Sequence, residues 1–326
     1  MAADALSDVL RTVRLTGAMF FDVVAKAPWA VESPPRERIL PEILPGAEHL
    51  IAYHVVVEGK CFATLRGGEP IPIEAGEVIV FTRGDQHVMS STPNMRPDPA
   101  PPDLIAAACA GQLPLFINYG GDGAASAKFV CGYLACDARP FNPLLDNLPP
   151  VIKAKDPQGA DVGWLGQFIR FAMMESADKR AGGESVLAKL SELMFIEVVR
   201  RHLEELPPEQ AGWLAGLRDP FVGKSLSLMH GAPAHNWTIE ELARQAGLSR
   251  SVLAERFTDL VGTPPMQYLA RWRMQIASGL LSEGSVNLAT VANEIGYESE
   301  AAFSRAFKKI LGMPPSVWRR RVRADN

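Results

Sequence analysis

The 326-residue sequence predicts a two-domain α+β protein. An N-terminal β-barrel or jelly roll with accessory helices precedes an all-α domain that carries two helix-turn-helix units. Three observations predict this architecture. Short apolar runs cut by Gly turns fill the stretch from Leu50 to His87, apolar residues at helical spacing follow after Val162, and an internal repeat occupies the C-terminal region. The expected bounds are a barrel over 1–160, a helical linker or dimerisation region over 161–212, and a helical domain over 213–326.

Composition sets the class. With 47% hydrophobic and 21% charged residues, the chain has the balance of a packed globular protein rather than a disordered one. No apolar run approaches the ~18 residues needed to span a bilayer. The first eight residues lack the basic-then-apolar order of a signal peptide. Cysteines at 61, 109, 131 and 136 show neither metal-finger spacing nor a disulfide framework, so a reducing cytoplasm is the expected compartment. Net charge is −4, but it is unevenly spread. From Trp213 to Asn326 there are 14 basic and 10 acidic residues, against 19 and 27 in the remainder. The positive field therefore coincides with the repeat, as a DNA contact surface requires. The terminal Arg319-Arg320-Arg321-Val322-Arg323 supplies much of it and, taken alone, reads as a solvated terminus.

In the β-rich half, Leu50–Val57 is an apolar run ended by Glu58-Gly59-Lys60, and Cys61–Leu65 is a short strand before Arg66-Gly67-Gly68. Ile71–Ile73, Gly76–Phe81 and Gly84–His87 continue the pattern. Five prolines between 93 and 102 predict an irregular loop, and Lys128–Cys136 a further strand. Helices are expected over Val162–Ala177 and Glu184–Leu206, separated by Gly182-Gly183. They either cap the barrel or contribute a dimer interface, since apolar periodicity does not say which surface it meets.

The repeat runs Leu242-Ala243-x-x-Ala246-Gly247-Leu248-Ser249-x-x-x-Leu253-x-x-x-Phe257, then Val261-Gly262-Thr263-Pro264-Pro265. Its copy, about fifty residues on, runs Val291-Ala292-x-x-Ile295-Gly296-Tyr297-Glu298-Ser299-x-x-x-Phe303-x-x-x-Phe307, then Leu311-Gly312-Met313-Pro314-Pro315. Tyr268 and Trp318 follow each Pro-Pro at one distance. Each copy reads as helix, tight turn, helix, over about 238–260 and 288–311. A single such pattern is weak, whereas two with matched Gly, Ser, Phe and Pro-Pro positions are strong. Thr238 is a natural N-cap with Glu241 placed for a capping box, and Ser249 and Ser299 cap the second helices. Val252, Leu253, Phe257 and Leu260 form the expected buried stripe of one, and Phe303, Ala306, Phe307 and Ile310 that of the other. Arg250, Ser251, Ala254, Glu255 and Thr258 then face outward in the first unit. Glu300, Ala301, Ala302, Ser304, Arg305, Lys308 and Lys309 do so in the second. Arg can bond guanine bidentately and Glu can accept from cytosine, while Lys308 and Lys309 suit phosphates. A long amphipathic helix from Pro265 to Leu281 would hold the two readers about one DNA turn apart.

This arrangement closely resembles the DNA-binding domain of the AraC/XylS family of bacterial transcription regulators over about Pro220–Arg321. The resemblance implies base contacts at Ser251, Ala254 and Glu255, and at Glu300, Ala301, Ala302 and Arg305. At the three alanines, readout reduces to apolar contact such as with a thymine methyl. It also implies double-stranded DNA and RNA polymerase as partners, and a homodimer.

The β-rich half resembles the cupin-type sensor domain of part of that family, nearest to the group that includes a reactive-chlorine-sensing activator. Tyr53–Gly59, Ala75–Val80, Arg83–His87, Tyr119-Gly120-Gly121, Val130–Tyr133, Pro143-Leu144-Leu145 and Leu148-Pro149 carry the resemblance. It implies a small-molecule or oxidant effector, with His54 and His87 as candidate pocket residues. Metal cupins supply a His-x-His that is absent here, and His49 and His54 fall on opposite faces of a strand. No metal, other cofactor or catalytic residue is therefore expected. Cys109, after the Pro-rich segment, and Cys131 are the candidate redox thiols, against a reading in which all four cysteines are structural. Cys131 and Cys136 on one strand would lie roughly 16 Å apart, too far for a disulfide.

The function expected is a sequence-specific transcriptional regulator, an activator controlled by an effector in the barrel, and not an enzyme. The alternatives are a metal-dependent cupin enzyme fused to a DNA-binding domain, or a constitutive regulator whose barrel only dimerises.

Overall fold

The computed structural model describes residues 4–12, 15–43, 47–99, 115–136, 140–156, 163–178, 180–207, 210–283 and 286–325. These divide into two units. The first draws on residues 15–137 and 148–204, the second on 1–14, 138–147 and 205–326.

In the first unit β1 (Thr16–Lys26), β2 (Ala30–Glu32), β3 (His49–Leu65), β4 (Ile71–Glu74) and β5 (Glu77–Phe81) are followed by β6 (His87–Ser90), β7 (Asp98–Pro99), β8 (Leu115–Gly120), β9 (Ala125–Cys136) and β10 (Val151–Lys155). The order is β7-β2-β6-β3-β9-β1-β8, with β4 and β5 also on β3, and β10 on β5. The sheet curls into a half-barrel. Alternation along β3, β5 and β9 sends Val56, Ile79, Phe81 and Phe129 inward with Phe21 and Val23 of β1.

The break expected at Glu58-Gly59-Lys60 is a bend within one 17-residue strand. Gly59 has φ +79°, and a Cβ there would sit 2.1 Å from the Ser126 carbonyl oxygen. The pairing register with β9 shifts between Val56 and Glu58. Residues 49–59 pair with β9, and residues 60–65 turn to β4 and β6. Gly here turns a barrel corner instead of ending a strand.

The expected helices form at Trp164–Asp178 and Gly183–Glu205. Asp156 caps the former, accepting from Leu165 N at 3.2 Å and Gly166 N at 3.0 Å. Arg201 of the latter reaches the same carboxylate at 3.1 Å. Gly183–Glu205 lies on the outer face of the sheet. A Cβ on Gly17 of β1 would lie 2.3 Å from the Ala188 carbonyl oxygen, so only glycine permits this approach. Tyr53 Oη and Ser191 Oγ meet at 2.8 Å, both buried.

In the second unit, helix Ala5–Thr12 packs on helices Pro220–Gly231 and Pro265–Glu283. Residues 140–147 join it as well: Phe141 N donates to Gln275 Oε1 at 2.9 Å, and Trp213 N to Asn147 Oδ1 at 2.9 Å. A buried polar relay holds its centre. Trp213 Nε1 donates to Tyr268 Oη at 2.7 Å, which lies 2.7 Å from His230 Nε2. Burial pushes His230 down to about 3, so the ring is neutral. The two repeat copies form helices Ile239–Ala246 and Arg250–Val261, then Leu288–Glu294 and Glu300–Leu311. Pro265–Glu283 connects them, and Pro315–Asp325 follows. Met274, Leu281, Val291, Ile295, Phe303, Phe307 and Trp318 close the second core.

The two turn glycines are not equivalent. Gly247 and Gly296 both have positive φ, but a Cβ on Gly247 meets nothing within 4 Å, while one on Gly296 would lie 2.3 Å from the Ala234 carbonyl oxygen. Gly247→Ala is expected to cost about 1 kcal/mol, from the left-handed conformation alone. Gly296→Ala should cost about 3 kcal/mol or more, because backbone must also move. Chemical-denaturation midpoints of the two variants check this, and equal losses would contradict it.

Candidate nucleic-acid interface and effector cavity

Each recognition helix is started by a serine. Ser249 Oγ accepts from Val252 N at 3.4 Å, and Ser299 Oγ accepts from Ala302 N at 3.2 Å. Each ends at a left-handed glycine, Gly262 at φ +74° and Gly312 at φ +75°. Leu253 and Phe257 are buried in the first, Phe303 and Phe307 in the second. Arg250, Ser251, Glu255, Glu300, Ala301, Arg305 and Lys308 are exposed, and Ala254 and Ala302 are half-buried. The candidate contact residues thus lie on the open sides of the two helices. Arg250 Nη1 is 3.0 Å from Glu240 Oε1, an exposed pair that water and DNA can readily exchange.

Two local expectations need correction. Val252 is 46% exposed rather than part of the buried stripe. The inward row is 253 and 257, both buried, with 260 half-buried, and residue 252 belongs to the neighbouring row with 256 and 259. Glu241 lies three residues after Thr238 and its N–H donates to the Thr238 hydroxyl at 3.1 Å. Its carboxylate, however, meets His235 Nε2 at 3.1 Å in place of closing a capping box.

The curled sheet holds a cavity of about 60 Å³. His54 of β3, Cys131 of β9 and Phe21 of β1 are cross-strand neighbours on its wall. His54 Nε2 and His87 Nε2, of the two candidate pocket residues, lie 2.7 Å apart. His87 Nδ1 is 2.9 Å from the Asp85 carbonyl oxygen. A carbonyl only accepts, so Nδ1 carries the His87 proton, and His54 Nε2–H must donate to His87 Nε2. Burial holds His87 down to about 4, opposed by the Asp85 contact, and holds His54 well below its ordinary value, helped by His87. Both rings are neutral, and their Nε2 atoms are committed to each other. Among the described residues no three His, Cys, Asp or Glu side chains are grouped to hold a metal ion.

Tyr119, Tyr133 and Phe129 also line the cavity and were not singled out as site residues. The signal was present: 129, 131 and 133 alternate along one strand. Burial pushes Tyr119 up to about 12 and Tyr133 higher, so both hydroxyls are protonated donors. Burial likewise raises the Cys131 thiol, which disfavours the reactive thiolate. Cys61 is buried and pushed up to about 12, and Cys136 is buried on the strand face opposite Cys131. Cys109 lies outside the described residues.

Two capped, outward-facing recognition helices in one unit, and a cupin half-barrel in the other, define a DNA-binding transcriptional regulator. Residues 4–204 match the cupin family, and residues 242–321 match the helix-turn-helix domain. The chain is 34% identical to an AraC-like transcription regulator of Streptomyces antibioticus, covering 97% of this chain and 98% of that one. It is 28% identical to the HTH-type transcriptional regulator AlkR of Acinetobacter baylyi, covering 97% and 99%. It is 27% identical to the RCS-specific HTH-type transcriptional activator RclR of Escherichia coli K12, covering 85% and 87%. The chain belongs to the AraC/XylS family of transcription regulators, with a cupin N-terminal domain.

The neutral histidines carry a pH signature. In the unfolded chain each titrates near 6.5, well above the folded value. Stability contributed by burying them neutral is present above about pH 6.5, and is lost as the unfolded state takes up protons below it. For His87 the loss runs from about 6.5 to about 4. His87→Gln is expected to flatten the fall in denaturation midpoint across that window relative to the parent protein. An unchanged slope would contradict a neutral, buried His87.

Proposed function

We propose that this regulator reads two different adjacent DNA sequences, one with Arg250–Val261 and one with Glu300–Leu311, and activates transcription under control of an effector in the cupin cavity. The observation that carries the reading is the pair of serine-capped helices whose outward faces differ. The first offers Arg250, Ser251, Ala254 and Glu255. The second offers Glu300, Ala301, Ala302 and Arg305, with Lys308 at its margin. DNA is then the ligand and RNA polymerase the partner of an activator, and the chain works in the cytoplasm without catalysing a reaction. The name of the Escherichia coli relative, a transcriptional activator, supports the sign of regulation. Among the described residues no helix is long and apolar enough to cross a membrane.

The cavity favours a small effector that carries no negative charge. Its wall is mostly apolar, its two histidines are neutral, and among the described residues it is lined by Glu32 but by no Lys or Arg, so an anion would find no countercharge. The protonated Tyr119 and Tyr133 hydroxyls suit an acceptor atom on the ligand. An oxidant acting on Cys131 is disfavoured by the raised thiol.

The helical region fits a homodimer interface. Phe171 and Met174 are 56% and 52% exposed, three residues apart on one helix, and Val186 and Leu193 are 45% and 56% exposed, two turns apart on the next. Apolar stripes of this kind are ordinarily covered.

The DNA reading is tested by fluorescence anisotropy on an operator found by genome-wide binding. Arg305→Ala should weaken operator binding by about 1–3 kcal/mol while sparing random duplex. Lys308→Ala should weaken both alike and reduce the salt slope by about 1. Equal losses on both duplexes for Arg305→Ala would remove its base-reading role. Repeating the titration across metabolites tests the effector: hits confined to anionic compounds would contradict this reading. For the dimer, sedimentation equilibrium should show Leu193→Asp shifted to monomer with its helix content kept. A parent protein that is monomeric at micromolar concentration would refute the interface.

A further inference from the structure

The first recognition helix carries an arginine that the reading of DNA leaves unused. Arg256 lies on Arg250–Val261, off the inward row of buried Leu253 and Phe257 and half-buried Leu260, in the row that also holds Val252 and Asp259. Its Nε donates to Asp219 Oδ2 at 2.8 Å, and Nη2 donates to the same oxygen. Asp219 is itself fixed. Its Oδ1 accepts from Phe221 N at 3.0 Å and Val222 N at 2.9 Å, capping helix Pro220–Gly231. The Asp219 side chain is only 8% exposed, and the Arg256 guanidinium lies over the Phe221 ring at 5.4 Å.

We propose that Asp219 and Arg256 form a clamp that fixes the rotation of the first recognition helix, making Arg256 a positioning residue for base readout and not a DNA contact. The physical argument is that a buried apolar stripe tolerates small rotations about the helix axis, whereas a forked guanidinium held by a capped carboxylate does not. Burial alone would push the Asp219 carboxyl up, but the Arg256 hydrogen bond and the two helix N–H groups outweigh it and keep the carboxylate charged. Among the described residues the second copy shows no such device. The position matching Arg256 is Ala306, and its helix is set by Phe303 and Phe307 in the core that includes Trp318. A rotation of even part of a turn would carry Ser251, Ala254 and Glu255 away from their bases, so the clamp acts on the specificity of the first half-sequence alone.

This inference rests on Arg250–Val261 entering DNA. Selection from a random duplex library by the full-length protein tests both. The parent chain should select a two-part motif, and the part erased by Arg305→Ala belongs to the second helix. Arg256→Ala and Asp219→Asn should each lose about tenfold discrimination in the other part. Asn retains the N-cap, so its loss reports the clamp. Both variants should keep the second part, which also shows that they fold, and keep the salt slope of the parent. Arg256→Lys should rescue little, since an ammonium lacks the fork. A phosphate contact would behave oppositely: Arg256→Ala would weaken all sequences alike and reduce the salt slope by about 1, with Asp219→Asn silent, and this would overturn the clamp. Retention of both motif parts in both variants would also overturn it. Failure of the parent chain to select any motif would refute DNA reading itself, and the clamp with it.

Discussion

A helix offered to DNA must have its first turn free of its own chain, yet that turn carries backbone N–H groups with no intrahelical partner. The two serines resolve this conflict. Ser249 and Ser299 satisfy an orphan donor from below, by a short side chain that adds no bulk on the outer face. Residues 250, 251, 300 and 301 therefore stay exposed. The left-handed glycines at the far ends, and the buried phenylalanines between, then fix each helix to its own core. The duplicated scaffold depends on these few positions, which leaves the outward faces free to differ.

The same separation of roles appears in the cupin half. One strand, β3, presents His54 to the cavity and its neighbour Tyr53 to the helix Gly183–Glu205. Period-two alternation alone places a cavity-facing group and a helix-facing group on adjacent residues. Strand β9 has the same double character, with Cys131 and Tyr133 on the cavity side. The chain continues from it into Phe141–Asn147, which is built into the DNA-binding unit through Gln275 and Trp213.

Much of the DNA-binding unit is legible in the sequence because its determinants are local. Thr238, Ser249 and Ser299 cap where expected, Gly247 makes the expected turn, and the matched Gly262 and Gly312 of the repeat end the recognition helices. What escapes is set by partners distant in sequence. Glu58-Gly59-Lys60 reads as a turn, but Gly59 bends a continuous strand because β9 runs against it. In the strand Thr16–Lys26 the apolar pairs Phe20-Phe21 and Val23-Val24 blur the sequence period, although Phe21, Val23 and Ala25 are buried between half-buried Asp22, Val24 and Lys26. Val252 counts as buried in a four-residue pattern, yet a one-residue step turns it about 100° away from Leu253. His54 and His87 were identifiable as a pair, while the direction of their proton needed the Asp85 carbonyl. Asp219 looks like an ordinary N-cap until Arg256, 37 residues on, is seen on its second oxygen.

The central claim is that one chain carries two non-equivalent readers held on one face of DNA. Hydroxyl-radical footprinting of the full-length protein on a selected operator tests it most directly. Two protected segments per protomer are predicted, about one helical turn apart on the same face. Arg305→Ala should weaken protection of one segment before the other. A single protected segment per protomer, or two that always weaken together, would contradict the account.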